Sequence, residues 1–424
     1  MKKTEYSIYK QLSDRNTLSN WREKIEYKVK EGGIVLDQQF IKTNRQKALL
    51  EKASELAEQF SERADYYDRE ALFPFQNFHD LKKAGFLKLS IPGKYGGDNL
   101  SLYEFVLIQE KLAQGDGATA LSLGWHLGIL MNIRETEKWD EKTYARISRE
   151  IIQFDKLLNS AASEPNGGSP ARGGKPETTA KRSGDKWIIN GKKIFTSLAP
   201  ALDYFLITAT IEETGEVGEF IIPKESPGLS IEETWNTLGM RGTRSDDLIL
   251  ENVELELEAM TGLKMKPSKG ASPQGWLLHI PACYLGIAIA ARNFAVEFAK
   301  KHQPNSLNHP IKDLPEVRRK IANMDLSLLT ARHLLYGTAE KWDTAPNERN
   351  KLGAELAAAK TVATNTAVEV VDLAMRVVGG QSIFNSLPLQ RYYRDVRAGL
   401  HNPPADEITF AILADQAFSE GTGK

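Results

Sequence analysis

The sequence predicts a mainly α protein in which a β-barrel domain is set between two helical domains. Apolar residues recur at helical spacing as far as about Phe154, alternate from about Asn159 to Leu257, and return to helical spacing after Pro273. The chain has 424 residues, room for two or three domains with their own cores. Composition is ordinary, 41% hydrophobic and 26% charged, which excludes disordered, collagen-like and coiled-coil chains.

Residues 1–40 read as a polar extension, and 41–156 as the first helical domain. Leu49, Leu50, Leu56, Ala57 and Phe60 give residues 48–70 one apolar face. Pro74 opens a second helix with Phe75, Phe78 and Leu81, stopped at Gly85. Ser101-Leu102-Tyr103-Glu104 is a capping box ahead of Phe105, Ile108 and Leu112, and Gly115-Asp116-Gly117 ends that helix. Residues 157–262 form the antiparallel β domain. Its strand signals are Trp187–Phe195, read as a hairpin turning at Asn190-Gly191, then Tyr204–Ile211, Glu219–Ile222 and Ser245–Leu255. Residues 272–424 form a four-helix bundle, with helices over Trp276–Phe298, 314–342, 350–378 and 404–419.

Several functions are excluded. Lys+Arg 55 against Asp+Glu 56 leaves a formal charge of -1, without the basic surplus that grips a nucleic-acid backbone. A single cysteine, Cys283, allows no internal disulfide and no thiolate zinc cluster. Met1-Lys2-Lys3 is not followed by the apolar core of a signal peptide, and no run approaches the ~20 apolar residues of a membrane span. The expectation is a cytoplasmic chain with no membrane and no nucleic-acid partner. Gly168 to Lys175 suggests a phosphate loop, but the lysine falls one place late and Pro176 stands where Ser or Thr belongs. No G-x-G-x-x-G, H-E-x-x-H or G-x-S-x-G is present.

Five motifs remain, in a telling order. They are Pro92-Gly93-Lys94-Tyr95-Gly96-Gly97, Ser163-Glu164-Pro165-Asn166-Gly167-Gly168-Ser169, Asn190-Gly191-Lys192-Lys193-Ile194-Phe195-Thr196-Ser197, Leu238-Gly239-Met240-Arg241-Gly242-Thr243-Arg244-Ser245, and Gly379-Gly380 with Arg394-Asp395. In register over roughly residues 45 to 420, they resemble the acyl-CoA dehydrogenase family. The resemblance implies a helical, β-barrel, helical fold, and FAD held between barrel and bundle, usually in a homotetramer, with a homodimer as the smaller alternative. By position, Ser163 would bond the flavin pyrimidine edge, Ser197 would donate to flavin N5, and Phe195 replaces the tryptophan beside the ring. Ser169 would meet flavin or CoA phosphates, and Gly379 and Gly380 match the cofactor-binding pair. Arg376, where a glutamine is usual, would supply a phosphate contact. His126, Ser169 and Trp276 are the candidate substrate contacts.

The pattern breaks at the catalytic base. Nine residues after Arg394, where the family places a glutamate, stands Pro403, and the alternative position on the first C-terminal helix holds Trp276. Asp406 and Glu407 are nearby substitutes. His401, in Leu400-His401-Asn402-Pro403, resembles a segment of the related flavin-dependent monooxygenases, as do Ser197 and His126. The segment in which the family carries an arginine reaching FAD of a neighbouring subunit is also altered, with His302 at that arginine's position. Three readings are open. The first is an FAD-dependent dehydrogenase oxidising an acyl-CoA or similar thioester, passing electrons to an electron-transfer flavoprotein. The second is a two-component monooxygenase using reduced FMN or FAD from a flavin reductase. The third is a diverged, non-catalytic flavin-binding protein.

Overall fold

Thr43 and Ser101 each open a helix with a reciprocal capping box. Thr43 pairs with Gln46 ahead of α1 (Asn44–Glu70), and Ser101 with Glu104 ahead of α3 (Leu102–Gly115). The computed structural model describes residues 39–166, 174–263 and 272–419. The chain divides into two units, Met1–Lys42 and Thr43–Lys424, and α1 begins the second. Nearly all of the polar extension, and Ser169 with it, lies outside the described residues.

Between α1 and α3 lies α2 (Phe75–Lys83), with Gly85 behind it at a left-handed φ of 77°. Asp116 ends α3 and its carboxylate caps α4 (Gly117–Thr136), accepting from Thr119 N–H at 3.1 Å. Asp140 does the same for α5 (Glu141–Phe154). α3 and α4 are apolar on most sides and correspondingly buried, so they form the middle of the helical layer.

Eight strands follow: β1 (Leu158–Ala161), β2 (Thr179–Ser183), β3 (Lys186–Lys193), β4 (Tyr204–Ile211), β5 (Val217–Pro223), β6 (Leu229–Glu232), β7 (Asp247–Glu256) and β8 (Met260–Leu263). They form one sheet in the order β6-β7-β3-β2-β4-β5-β8, with β1 beside β4. The sheet is mixed, not purely antiparallel, because β1 and β2 both run parallel to β4. The expected hairpin at Asn190-Gly191 is also corrected. β3 runs straight through those residues, and the β2–β3 turn lies at Gly184-Asp185. Gly191 instead marks a bulge against β7, at φ 152°. A Cβ there would meet Thr178 Oγ1 at 2.5 Å, so the glycine permits a close approach of chains.

The C-terminal part contains α6 (His279–Lys301), α7 (Pro315–Thr344), α8 (Gly353–Val378), α9 (Leu389–Gly399) and α10 (Asp406–Ser419). α9 is a helix beyond the four expected. Gly275–Lys301 has the length and apolarity of a membrane span, contrary to the reading that no run comes near one. It is buried against α3, α4, α7 and α8 as the core helix of the bundle. α10 is different. Only Thr409 is buried, whereas Ile408, Phe410, Ile412, Leu413 and Phe418 are exposed.

One buried ion pair ties α7 to α3. The Arg332 guanidinium donates through Nε to Glu110 Oε2 at 2.9 Å and through Nη2 to Oε1 at 2.8 Å, and Tyr336 adds a bond at 3.1 Å. Both charged side chains are almost wholly out of water. Removing one partner strands the other's charge, which costs about 3–5 kcal/mol. Arg332→Met should therefore lower unfolding free energy by about that much in urea denaturation, and a loss under ~1 kcal/mol would contradict this account.

Candidate functional site

A buried ion pair sets the first wall of the site. Lys193 points inward from β3 with no exposure, and its ammonium meets the Glu164 carboxylate and the Thr208 carbonyl (2.7 Å). Glu164 also accepts from Thr178 Oγ1 at 2.6 Å and from the Glu177 and Thr178 amides. Burial alone would raise this carboxyl, but Lys193 and these donors outweigh it and hold it below its ordinary value. The pair presses the Ser163–Glu164 segment onto the end of β3, where Ile194 N–H donates to Ser163 O at 2.9 Å.

Beyond β3 the chain turns sharply. Phe195 sits at φ 57° and Leu198 at φ 64°, both rare for side chains of this bulk. Leu198 is fully buried, while the Phe195 ring is 60% exposed and meets Trp235 edge to face at 5.9 Å. The turn is fixed by backbone bonds from Thr196 N–H to Asp246 O (3.2 Å) and from Leu198 N–H to Thr243 O (3.0 Å). Asn159 Nδ2 holds the Ser197 carbonyl at 3.0 Å. Ser197 Oγ then lies 2.8 Å from Ser245 Oγ, which lies 2.9 Å from Thr243 Oγ1, which reaches Met240 O at 2.9 Å.

The second wall belongs to α9. Asp395 Oδ1 accepts from Met240 N–H at 2.6 Å. Arg394 grips the Asp68 carboxylate of α1 with both Nη atoms and donates to Leu238 O at 2.9 Å. Gly239 packs so closely on the Arg394 backbone that no Cβ would fit. Burial, reinforced by Asp68, pushes the Asp395 carboxyl up to about 7, against Met240 N–H, Arg391 and Arg394.

The structure thus brings Ser163, Phe195 and Ser197 together at one corner. The other candidates are differently placed. His126 is fully buried; its Nδ1 accepts from Leu158 N–H at 3.2 Å, and its Nε2 donates to Leu87 O at 2.9 Å. Burial lowers its pKa to about 4, so it is a neutral clamp between α4 and β1, with no nitrogen left for a substrate. Trp276 is also buried, stacked on His279 at 5.7 Å, and forms part of the α3–α4–α6 packing. Asp406 faces α8, accepting from Asn365 Nδ2 at 2.8 Å and lying 3.7 Å from the buried Lys360 ammonium. Glu407 and His401 are exposed. Arg376 pairs at the surface with Asp372 of its own helix, and Gly379 and Gly380 follow with open space where a Cβ would stand. Among the described residues, no hydrogen bond joins these last three to the Phe195–Ser197 corner.

Sequence reading did not name Trp235 as part of the site, and it quoted Thr243 and Ser245 within a motif without giving them a role; these three complete the corner. Their signal was present, in the run Trp235 to Ser245 that carries the Leu238-Gly239 motif. An exposed aromatic face beside a hydroxyl chain fits a flat heteroaromatic ring with hydrogen-bonding edges.

A helical domain, a sheet domain and a helical bundle around such a corner define a flavoprotein oxidoreductase. The chain belongs to the acyl-CoA dehydrogenase family, whose members bind FAD. Family models match at 43–138 (acyl-CoA dehydrogenase, N-terminal domain), 159–253 (middle domain) and 278–402 (C-terminal domain). YdbM of Bacillus subtilis (strain 168), which carries a provisional acyl-CoA dehydrogenase name, is 48% identical over 89% of this chain and 99% of its own. Two solved structures share the fold. Butyryl-CoA dehydrogenase from Megasphaera elsdenii is 22% identical, with a TM-score of 0.79 over 90% of this chain and 100% of that chain. FMN-bound TdsC from Paenibacillus sp. A11-2 is 22% identical, with a TM-score of 0.80 over 88% of this chain and 98% of that chain.

The raised Asp395 carboxyl has a consequence for stability. Between about pH 4 and pH 7 the native protein keeps a proton that the unfolded chain has released, so stability falls as pH rises through that window. Asp395→Asn retains an oxygen for Met240 N–H but cannot titrate. In thermal unfolding at a series of pH values, wild type should lose ground to the variant as pH rises from about 4 to 7, and parallel curves would contradict the assignment.

Proposed function

We propose that this chain is an FAD-dependent oxidoreductase of acyl-CoA dehydrogenase type, oxidising an acyl-CoA or similar thioester. The observation that carries the reading is the exposed Phe195 face held beside the Ser197 hydroxyl. Ser163, Phe195 and Ser197 would hold the flavin ring, which supplies the two-electron acceptor for a hydride leaving the substrate β-carbon.

The α-proton needs a base of this chain's own. Pro403 cannot take it, Trp276 has no basic atom, and Asp406 is committed to Asn365 and Lys360. Glu407 and His401 remain, both exposed, the first in the opening turn of α10 and the second in the turn after α9. Loss of a positioned base costs about 10²–10⁴-fold in rate. In anaerobic titration of the FAD-loaded protein with acyl-CoAs of graded length, one chain length should bleach the oxidised flavin. Either Glu407→Gln or His401→Ala should slow that bleaching within the stated range. No bleaching by any thioester, with the flavin bound and reducible by dithionite, would overturn dehydrogenation.

A second reading is favoured by the residues at the two customary base positions, Pro403 and Trp276, which are not carboxylates. A monooxygenase using reduced FMN or FAD from a flavin reductase needs no α-proton base, and His401 would then supply the proton donor at the corner. In the dehydrogenase reading, an electron-transfer flavoprotein takes the electrons onward. Either enzyme would work in the cytoplasm.

α10 supports a homo-oligomer, tetramer or dimer. A helix apolar on all sides, with Ile408, Phe410, Ile412, Leu413 and Phe418 exposed in one chain, is stable when a second copy covers it. Replacing Phe410 and Leu413 together by Asp should reduce the assembly to monomers in light scattering. An unchanged mass would remove α10 from the interface.

A further inference from the structure

The three hydroxyls behind the corner form a chain whose direction is not fixed. Thr243 Oγ1 reaches Met240 O at 2.9 Å, but that carbonyl also accepts from Trp235 Nε1 at 3.1 Å and from Thr243 N–H at 3.1 Å. A carbonyl oxygen has two lone pairs, so the Thr243 proton is a third and dispensable donor. Two arrangements are therefore both fully bonded. In one, Thr243 donates to Met240 O, Ser245 to Thr243 and Ser197 to Ser245, so Ser197 shows a lone pair to the corner. In the other every hydroxyl turns round: Thr243 donates to Ser245, Ser245 to Ser197, and Ser197 points its proton outward. No O–H bond breaks, and Met240 O keeps its two N–H donors. Bulk water does not complete either chain, because Thr243 and Ser245 are 1% and 4% exposed.

Resting on the flavin reading of the site, we infer that Ser197, Ser245 and Thr243 are a reversible hydroxyl relay that serves both redox states of the bound ring. With an oxidised ring bound, Ser197 would donate its proton to the N5 acceptor. With a reduced ring bound, Ser197 would turn its lone pair to the N5 proton. Ser245 and Thr243 touch no ligand and act as positioning residues. Their contribution is one-sided. Oxidised flavin can be served by Ser197 alone, whereas the lone-pair arrangement needs an acceptor for every buried O–H behind it.

Cutting the relay therefore penalises the reduced state. Thr243→Val leaves the Ser245 proton without an acceptor in the lone-pair arrangement, and Ser245→Ala does the same to Ser197. An orphaned buried donor lowers the affinity for reduced relative to oxidised flavin by about tenfold. For a two-electron couple that moves the midpoint potential about 30 mV more negative. The double variant should move about as far as either single one, since a chain is cut only once, and Thr243→Ser should hold the wild-type potential.

The test is spectroelectrochemical titration of the FAD-loaded wild type, the two single variants, the double variant and Thr243→Ser. Negative shifts in both single variants, without additivity and with rescue by serine, are the expected result. Bound flavin with an unchanged or more positive potential in Ser245→Ala, the less disruptive variant, overturns the relay and leaves the flavin reading standing. Failure of wild type to take up flavin, seen in its absorbance before any titration, overturns both.

Discussion

The carboxylate of Asp395 on the Met240 amide is the contact from which the site is built. Met240 sits at φ 54°, a conformation its own side chain disfavours, and the 2.6 Å bond from a buried aspartate holds it there. Arg394, the preceding residue, binds α1 through Asp68 and the same loop through Leu238 O. Two adjacent residues of a short helix thereby join the first helical domain, the sheet domain and the bundle. The carbonyl of Met240 matters equally, since it receives the Thr243 hydroxyl that leads to Ser197. The latch that fixes the domains also fixes the far end of the hydroxyl chain.

Buried charge in this chain is placed where it holds segments together. Glu110–Arg332 ties α3 to α7, Glu164–Lys193 ties the Ser163 segment to β3, and Asp68–Arg394 ties α1 to α9. Such pairs contribute little net stability, because desolvation offsets much of the Coulomb attraction. They do penalise any arrangement that separates the partners. A corner made of residues at strained dihedrals, such as Phe195 and Leu198, needs that kind of constraint.

How much was legible in sequence depends on the range of the forces concerned. The Ser101 capping box acts over one helical turn and is as visible in sequence as in structure. The domain order shows in hydrophobic period, which each element carries by itself. Gly191 failed as a turn signal because its purpose, room for Thr178, comes from the residue that leads into β2. Asp406 was a fair candidate base until Lys360 and Asn365, more than forty positions earlier, were seen to hold it. His126 looked like a ligand contact because sequence does not show that a carbonyl at 87 and an amide at 158 meet its ring. The hydroxyl chain lay inside a recognised motif, but only the pairing of 196–198 with 243–246 turns Ser197, Ser245 and Thr243 into one object.

Neutral groups make up the polar part of the corner itself. Ser197, Ser245, Thr243 and Asn159 carry no charge, and the nearby Asp246 side chain is occupied by Arg244 and by the Trp235 amide. A buried carboxylate at such a position would oppose negative charge arriving on a bound ring, with little water to screen it. Hydroxyls respond by rotation instead, so the corner meets a change in its ligand's donor pattern without gaining or losing charge. That property suits any chemistry that alternates a ring between two protonation patterns, whichever substrate delivers the electrons.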